Sequence, residues 1–126
     1  MNSVLIDSDV LVEVSRGRDA ALLERWERLG QSEMPLFCSP VSVAELWHGA
    51  LPREHAALDA LFSVIEAIPI DFVIGRRAGA YLQKFGKSHT VELGDALIAA
   101  TAAVHSLQLW TRNRRHYPMP ELHFYA

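Results

Sequence analysis

Three carboxylates stand in stretches of this chain that are otherwise apolar. In VLIDSDVLVE, Val4 to Glu13, Asp7 ends a run of three β-formers, and a second acid, Asp9, follows two residues later. In SPVSVAELWHGA, Ser39 to Ala50, Glu45 shares a narrow polar stripe with Ser42 and His48. The rest of that helical circumference is apolar, so Glu45 is expected to be walled in. In ELGDALIAATAAV, Glu92 to Val104, Asp95 precedes nine uncharged residues rich in alanine. Burying an unpaired charge is costly. Two unit charges about 4 Å apart also repel by roughly 4 kcal/mol at an effective dielectric near 20. Acids that converge under these conditions either hold protons at raised pKa or surround a cation. An all-oxygen donor set suits Mg²⁺ or Mn²⁺ over Zn²⁺, and the six histidines show no zinc-ligand spacing. Plainer readings exist: Glu45 as a surface glutamate, and Asp95 as a helix-terminus acid favoured by the macrodipole.

The next group is basic. WTRNRRHY, Trp110 to Tyr117, crowds Arg112, Arg114, Arg115 and His116 into a short loop. Such runs are commonly solvated surface. Beside an acidic hole they suit a polyanion, with one phosphate at a metal and its neighbours at arginines.

The elements that must position these groups alternate in type. Val4-Leu5-Ile6 reads as a short buried strand and Leu36 to Cys38 as a second. Asp19 caps a helix predicted to end at Gly30, with Leu22, Trp26 and Leu29 at helical spacing. Ser39-Pro40 is a helix start, a capping hydroxyl followed by proline at the first helical position. A further helix carries Leu58, Leu61, Phe62 and Ile65 on one face. Ala67 to Ile70 reads as a strand whose proline marks an end or an edge. Asp71 caps a helix with Ile74, Ala78, Tyr81, Leu82 and Phe85 inward, stopped by Gly86. Glu92 to His105 is helical, Leu107 to Trp110 a buried strand, and Glu121 to Phe124 a last one. Strands alternating with helices imply a mostly parallel sheet covered on both faces. Chemistry in such folds lies beyond the carboxyl ends of the strands. Asp7 and Thr111 to Asn113 both follow strands and face that edge.

With 126 residues, half of them hydrophobic and 21% charged, the chain fits one domain with a sizeable core. A single cysteine, Cys38, excludes an internal disulfide and fits a reducing, cytoplasmic setting. It sits in an apolar run, where a buried inert thiol is expected. The start of the chain shows no signal pattern, and Ala96 to Val104, the longest apolar stretch, is too short to span a bilayer. The formal net charge of −3 means that a polyanion would have to be met by a local basic patch.

Together these segments resemble the PIN domain, and more narrowly the VapC-type toxin ribonucleases of bacterial toxin–antitoxin pairs. IDSDVLVE is similar to the family's opening strand with its first acid at Asp7. SVAELWHGA resembles the glutamate helix, with Glu45, and GDALIAATA the third-acid helix, with Asp95; LWTRNRRHY follows at the usual distance. The likeness runs over nearly the whole chain and implies a single domain, residues 1–126. It implies a compact three-layer α/β/α sandwich around a mostly parallel sheet of about four to five strands. It also implies a Mg²⁺- or Mn²⁺-dependent endoribonuclease in which Asp7, Glu45 and Asp95 hold the metal directly or through water. Thr111, Arg112, Arg114, Arg115 and His116 become candidate RNA contacts. Many relatives place a fourth acid near the Thr-Arg-Asn segment, where this chain offers Asn113 or His116. Asn113 could ligate through its carbonyl oxygen or could simply cap a turn. Asp9 reads as a cap of the following helix or as a group supporting the acids. The resemblance further implies a homodimer and a small cognate antitoxin, without a membrane. Trp26 and Trp47 could serve such contacts or pack in the core.

Two other readings use the same residues. A PIN-like module could bind RNA or protein without cutting. VLIDSDVL is also similar to the opening of haloacid-dehalogenase-like phosphatases, but Leu11 and Ala99 stand where that pattern wants other residues.

Overall fold

The computed structural model describes residues 3–125. Its centre is β1 (Val4–Ile6), whose three side chains are fully buried. β2 (Leu36–Cys38) pairs with it on one side and β4 (Gln108–Trp110) on the other. β3 (Glu66–Ala67) and β5 (His123–Phe124) add the outer strands, giving a five-stranded parallel sheet in the order β3-β2-β1-β4-β5. Parallel neighbours require long crossovers. The chain supplies them with α1 (Ser8–Arg16), α2 (Ala20–Gln31), α3 (Pro40–His48), α4 (His55–Phe62), α5 (Phe72–Phe85) and α6 (Leu93–His105).

The period of two along each strand divides the core. Leu5 and Leu109 point to a cluster built with α5 and α6, around Ile74, Tyr81, Ala96, Ala99 and Ala100. Val4, Ile6, Cys38 and Trp110 point the other way, to Val10, Leu11, Leu22, Leu46 and Leu58 of α1 to α4. These are the three layers expected. Small side chains let α6 lie close: Ala96, Ala99 and Ala100 are fully buried. Cys38 is fully buried as well, and burial pushes its thiol up to about 11, so it is an inert core residue. Among the described residues, no helix is long and apolar enough to cross a membrane.

Several helix starts follow their expected caps. Asp19 accepts from the Leu22 N–H at 3.1 Å, Ser39 from Val41 at 3.1 Å and Asp71 from Ile74 at 3.0 Å. α1 ends at Gly17, whose φ of 66° is a left-handed position that glycine takes without a Cβ clash.

Other boundaries move, each for a local reason. The third strand is Glu66–Ala67, not Ala67 to Ile70: the Ile68 N–H still reaches the Cys38 carbonyl at 3.0 Å, but Pro69 has no N–H to continue. The last strand shrinks to His123–Phe124 because the Leu122 N–H closes a turn onto Met119. β4 begins at Gln108, since the Leu107 N–H is taken by the Ala102 carbonyl at the end of α6. α2 continues one residue past Gly30, and α4 stops at Phe62, leaving Ile65 buried beyond its end. The helix after β1 is capped by Asp7, not by Asp9, which lies in its first turn.

Truncating a side chain at the sheet centre should be severe. Leu5→Ala is expected to lose about 2–5 kcal/mol by urea unfolding, while Val64→Ala, at a side chain 60% exposed, should shift stability by less than about 0.5 kcal/mol.

Candidate active site

The site is built outward from Asp7, the residue after β1 and itself 7% exposed. Its own N–H bonds to the Trp110 carbonyl at 2.9 Å, extending the β1–β4 ladder by one step. Each carboxylate oxygen accepts one donor. Oδ1 takes the Ser8 N–H at 2.8 Å, which caps α1, and Oδ2 takes the Thr111 hydroxyl at 2.8 Å. Thr111 Oγ1 in turn accepts from the Asn113 N–H at 3.0 Å. The residue past β1 and the loop past β4 are thereby one hydrogen-bonded unit.

Asp95 sits in the first turn of α6, where it accepts from the Glu92 N–H at 3.2 Å. Gly94 beside it permits a close approach, since a Cβ there would lie 3.3 Å from Val41 on α3. Glu45 belongs to α3. The expectation that it is walled in fails: Ser42 is fully buried, whereas Glu45 and His48 are exposed, because the stripe crosses from the core to the rim within one turn. Glu45 is nonetheless tethered. Ser8 Oγ lies 2.6 Å from Glu45 Oε1 and 2.8 Å from Ser42 Oγ. With one hydrogen per hydroxyl, Ser8 donates to the carboxylate while Ser42 donates to Ser8.

These side chains line one cleft of about 210 Å³, bounded by Asp7, Ser8, Asp9, Glu45, Asp95, Asn113 and His116. Asp9 is the acid whose place the sequence left undecided. One of its oxygens accepts the Arg112 N–H at 3.1 Å, and the other, Oδ1, is buried without a hydrogen-bond partner. The signal was present in the DSD spacing: residues two apart in a first helical turn both stay near the helix mouth.

The basic loop divides. Asn113 and His116 reach the cleft wall, with Asn113 Nδ2 3.2–3.3 Å from the His116 ring nitrogens and His116 3.9 Å from Asp95. The Asn113 carbonyl oxygen accepts from Arg115 Nε at 3.1 Å, so it is turned toward the rim. Arg112 lies 3.9 Å from Glu13, and Arg114 stands 4.8 Å over the Phe124 ring. The arginines are therefore rim groups. Trp26 and Trp47 are half-buried against the core, Trp47 with its ring 5.0 Å from His55.

Electrostatics mark the cleft as crowded with like charge. Burial raises Asp7 to about 6, with Asp9 adding to the rise and the Thr111 and Ser8 hydrogen bonds opposing it. Burial raises Asp9 against the pull of the Arg112 N–H. Burial also raises Asp95, opposed by the Glu92 N–H and by His116, while the charges of Glu92 and Glu45 add to the rise. Among the described residues, no three His, Cys, Asp or Glu side chains form a ready-made metal cage. The donor set is nevertheless all oxygen, carries surplus negative charge and includes a buried oxygen lacking a partner. That chemistry fits a hard divalent cation held partly through water.

A parallel sheet between two helical layers, with acids gathered beyond its strand ends, defines an α/β/α protein with a site at the usual edge. Residues 4–122 match the PIN domain, and the chain belongs to that family. It is 42% identical over 119 residues to Ribonuclease VapC10 of Mycobacterium tuberculosis, covering 94% of this chain and 88% of that protein. Its fold is similar to VapBC2 from Rickettsia felis, solved bound to a promoter DNA fragment, with a TM-score of 0.81 at 20% identity over 97% of this chain and 96% of that one. A toxin–antitoxin complex from Klebsiella pneumoniae matches at TM-score 0.72 and 27% identity, over 95% of each chain. Family membership sets the phosphatase reading aside.

The acid at the end of β1 has a sign that stability can read. Asp7 moves from 3.8 to about 6 on folding. Between those values the folded chain binds more protons than the unfolded one, so stability falls as pH rises through the window and stays lower above it. A shift of this size corresponds to roughly 3 kcal/mol. In chelator, Asp7→Asn should flatten that decline and unfold at higher urea than the wild type near about pH 7.5. Equal midpoints there would contradict the assignment.

Proposed function

We propose that this protein is a Mg²⁺- or Mn²⁺-dependent endoribonuclease and the toxin of a toxin–antitoxin pair. The observation that carries the reading is the gathering of Asp7, Asp9, Glu45 and Asp95 on one cleft, opposite Asn113 and His116. Family membership and the likeness to Ribonuclease VapC10 support it. Asp7, Glu45 and Asp95 would hold the cation, with Asp9 beside them and the Asn113 amide at the opposite wall. When bound, such a cation supplies Lewis-acid activation of water and offsets charge building on the phosphate.

The chain's own groups do the remaining work. Ser8 and Thr111 hold the Asp7 carboxylate in one orientation, and Ser8 holds Glu45 over the opening. His116, half-buried at the wall, can exchange a proton with a phosphate oxygen. Arg112, Arg114 and Arg115 at the rim would meet phosphates flanking the cut bond, which lets an acidic chain engage RNA locally.

The proposed antitoxin has a place to lie. A groove of about 290 Å³ runs from Glu45 along α1, α3 and α4, floored by Val12, Leu46 and Leu58 and flanked by Arg16 and Arg53. A proposed homodimer draws on exposed apolar side chains, Phe72 at 81% and Leu93 at 61%, with Trp26 and Trp47 half-buried against the core. A cytoplasmic setting belongs to the same proposal.

Purified protein should cut cellular RNA in Mg²⁺ or Mn²⁺ and stop in EDTA. Asp7→Asn and Asp95→Asn should each fold yet lose at least about a hundredfold in cleavage rate. Wild-type cleavage by either variant would overturn the reading.

A further inference from the structure

Two aromatic rings stand at the end of β5, each met by an arginine. Phe124 packs on the side of the sheet covered by α5 and α6, with Arg114 of the basic loop over its ring. Tyr125 packs on the other side, and its N–H bonds to the Leu109 carbonyl at 2.9 Å, which ties it to β4. There the Arg25 guanidinium lies 5.1 Å from the Trp110 ring centre and 5.9 Å from that of Tyr125, the two rings being 5.4 Å apart. Arg25 is thus engaged in the fold and braces the tyrosine. Beside them opens a groove of about 320 Å³ lined by Arg25, Arg28, Leu29, Ser32 and Tyr125. Spacings of three and four place its α2 residues on one helix face, and neither Glu24 nor Glu27 lines it. Arg28 is exposed and Tyr125 half-buried. A phenol ring next to guanidinium groups suits single-stranded nucleic acid, which stacks a base on the ring and sets a phosphate on the cation.

The groove's position favours that occupant over an acidic protein segment. Trp110, whose ring backs Tyr125, is also the residue whose carbonyl takes the Asp7 N–H at 2.9 Å. Phe124 and Tyr125 are consecutive, so Arg114 at the cleft rim and the groove lie on the two sides of a single strand. β5 is the last strand of the sheet, and among the described residues no strand pairs with its outer edge. We propose that the groove between α2 and Tyr125 is a second contact for the RNA substrate, reached from the cleft rim across the open edge of β5. Tyr125 stacks on a base there, and Arg28 meets a neighbouring phosphate. This role rests on the ribonuclease reading above and adds to it where the strand runs beyond the cut bond.

The test is fluorescence anisotropy with a labelled single-stranded RNA of about 16 nucleotides. The full chain carries Asp7→Asn, expected above to fold without cutting, so that the RNA stays whole. Adding Arg28→Ala should weaken binding about threefold to tenfold and lower the slope of log affinity against log salt by about 0.7. Adding Tyr125→Leu, which keeps an apolar side chain against Trp110 but removes the ring face, should weaken binding about fivefold or more. Tyr125→Phe, which keeps the ring, should bind within about twofold of the parent. Melting curves check that each variant is folded, and Arg28→Ala, on an exposed helix face, decides the matter if Tyr125→Leu unfolds. RNA affinity and salt slope left unchanged by Arg28→Ala, or equal affinity in folded Tyr125→Leu and Tyr125→Phe, overturns the groove alone; a site reserved for an acidic protein segment predicts that result. A parent chain that binds no RNA overturns the ribonuclease reading, and the groove with it.

Discussion

The structure turns on one constraint: a carboxylate placed at the end of a strand with no exposure to water on either face. β1 is buried on both sides because helices cover the sheet twice, so the residue that follows it must find its partners inside the protein. Asp7 finds them at both ends of the sequence, in the Ser8 N–H next to it and the Thr111 hydroxyl 104 residues away. The first bond starts α1 in the right direction. The second ties the loop past β4 to the strand beside it and sets where Asn113 and His116 emerge. Satisfying one buried charge thus organises two of the walls of the cleft.

The remaining walls come from helix packing. Asp95 is delivered by a helix whose alanines permit close contact with α5 and the sheet, and Gly94 lets its start approach α3. Glu45 is brought near by α3 but is not enclosed by it, and the Ser42–Ser8 hydroxyl chain does the final placement. A well-buried acid, two partly screened ones and a tethered exposed one form a graded site, closed at its floor and open at its rim. The crowding lifts carboxylate pKa values by burial and mutual repulsion, an unfavourable arrangement that a counter-charge would relieve. Perturbed acids gathered in a cleft are a physical sign of function, since folding alone would have favoured neutral side chains there.

The basic loop shows how engagement limits charge. Arg112 approaches Glu13, Arg114 stacks on Phe124 and Arg115 holds the Asn113 carbonyl. These contacts leave the guanidinium groups near the surface and orient the loop, so the same residues shape the rim and carry its charge. The loop's last residue, Tyr117, turns inward. It packs in the core cluster with Met119 and Leu122, its hydroxyl buried.

Much of this was legible in the amino-acid order. The strand ending at Ile6, the caps at Asp19, Ser39 and Asp71, the alanine-rich helix after Asp95 and the alternation of elements rest on local rules of period and capping. Those rules need no tertiary partner, and they sufficed for a parallel α/β/α sandwich and for three of the cleft's acids. Boundaries set by a missing or diverted N–H, at Pro69, Leu107 and Leu122, were less legible, because the competing acceptor lies elsewhere in the fold. Only the tertiary structure decided that Asp7 and not Asp9 caps the first helix, that Glu45 is exposed and held by Ser8, and that Asn113 turns its carbonyl toward Arg115. It also decided that Tyr117, at the end of the basic loop, is buried in the core. Each of these depends on which of several equally capable donors and acceptors meet across long sequence separation, and helical or strand periodicity carries no information about that.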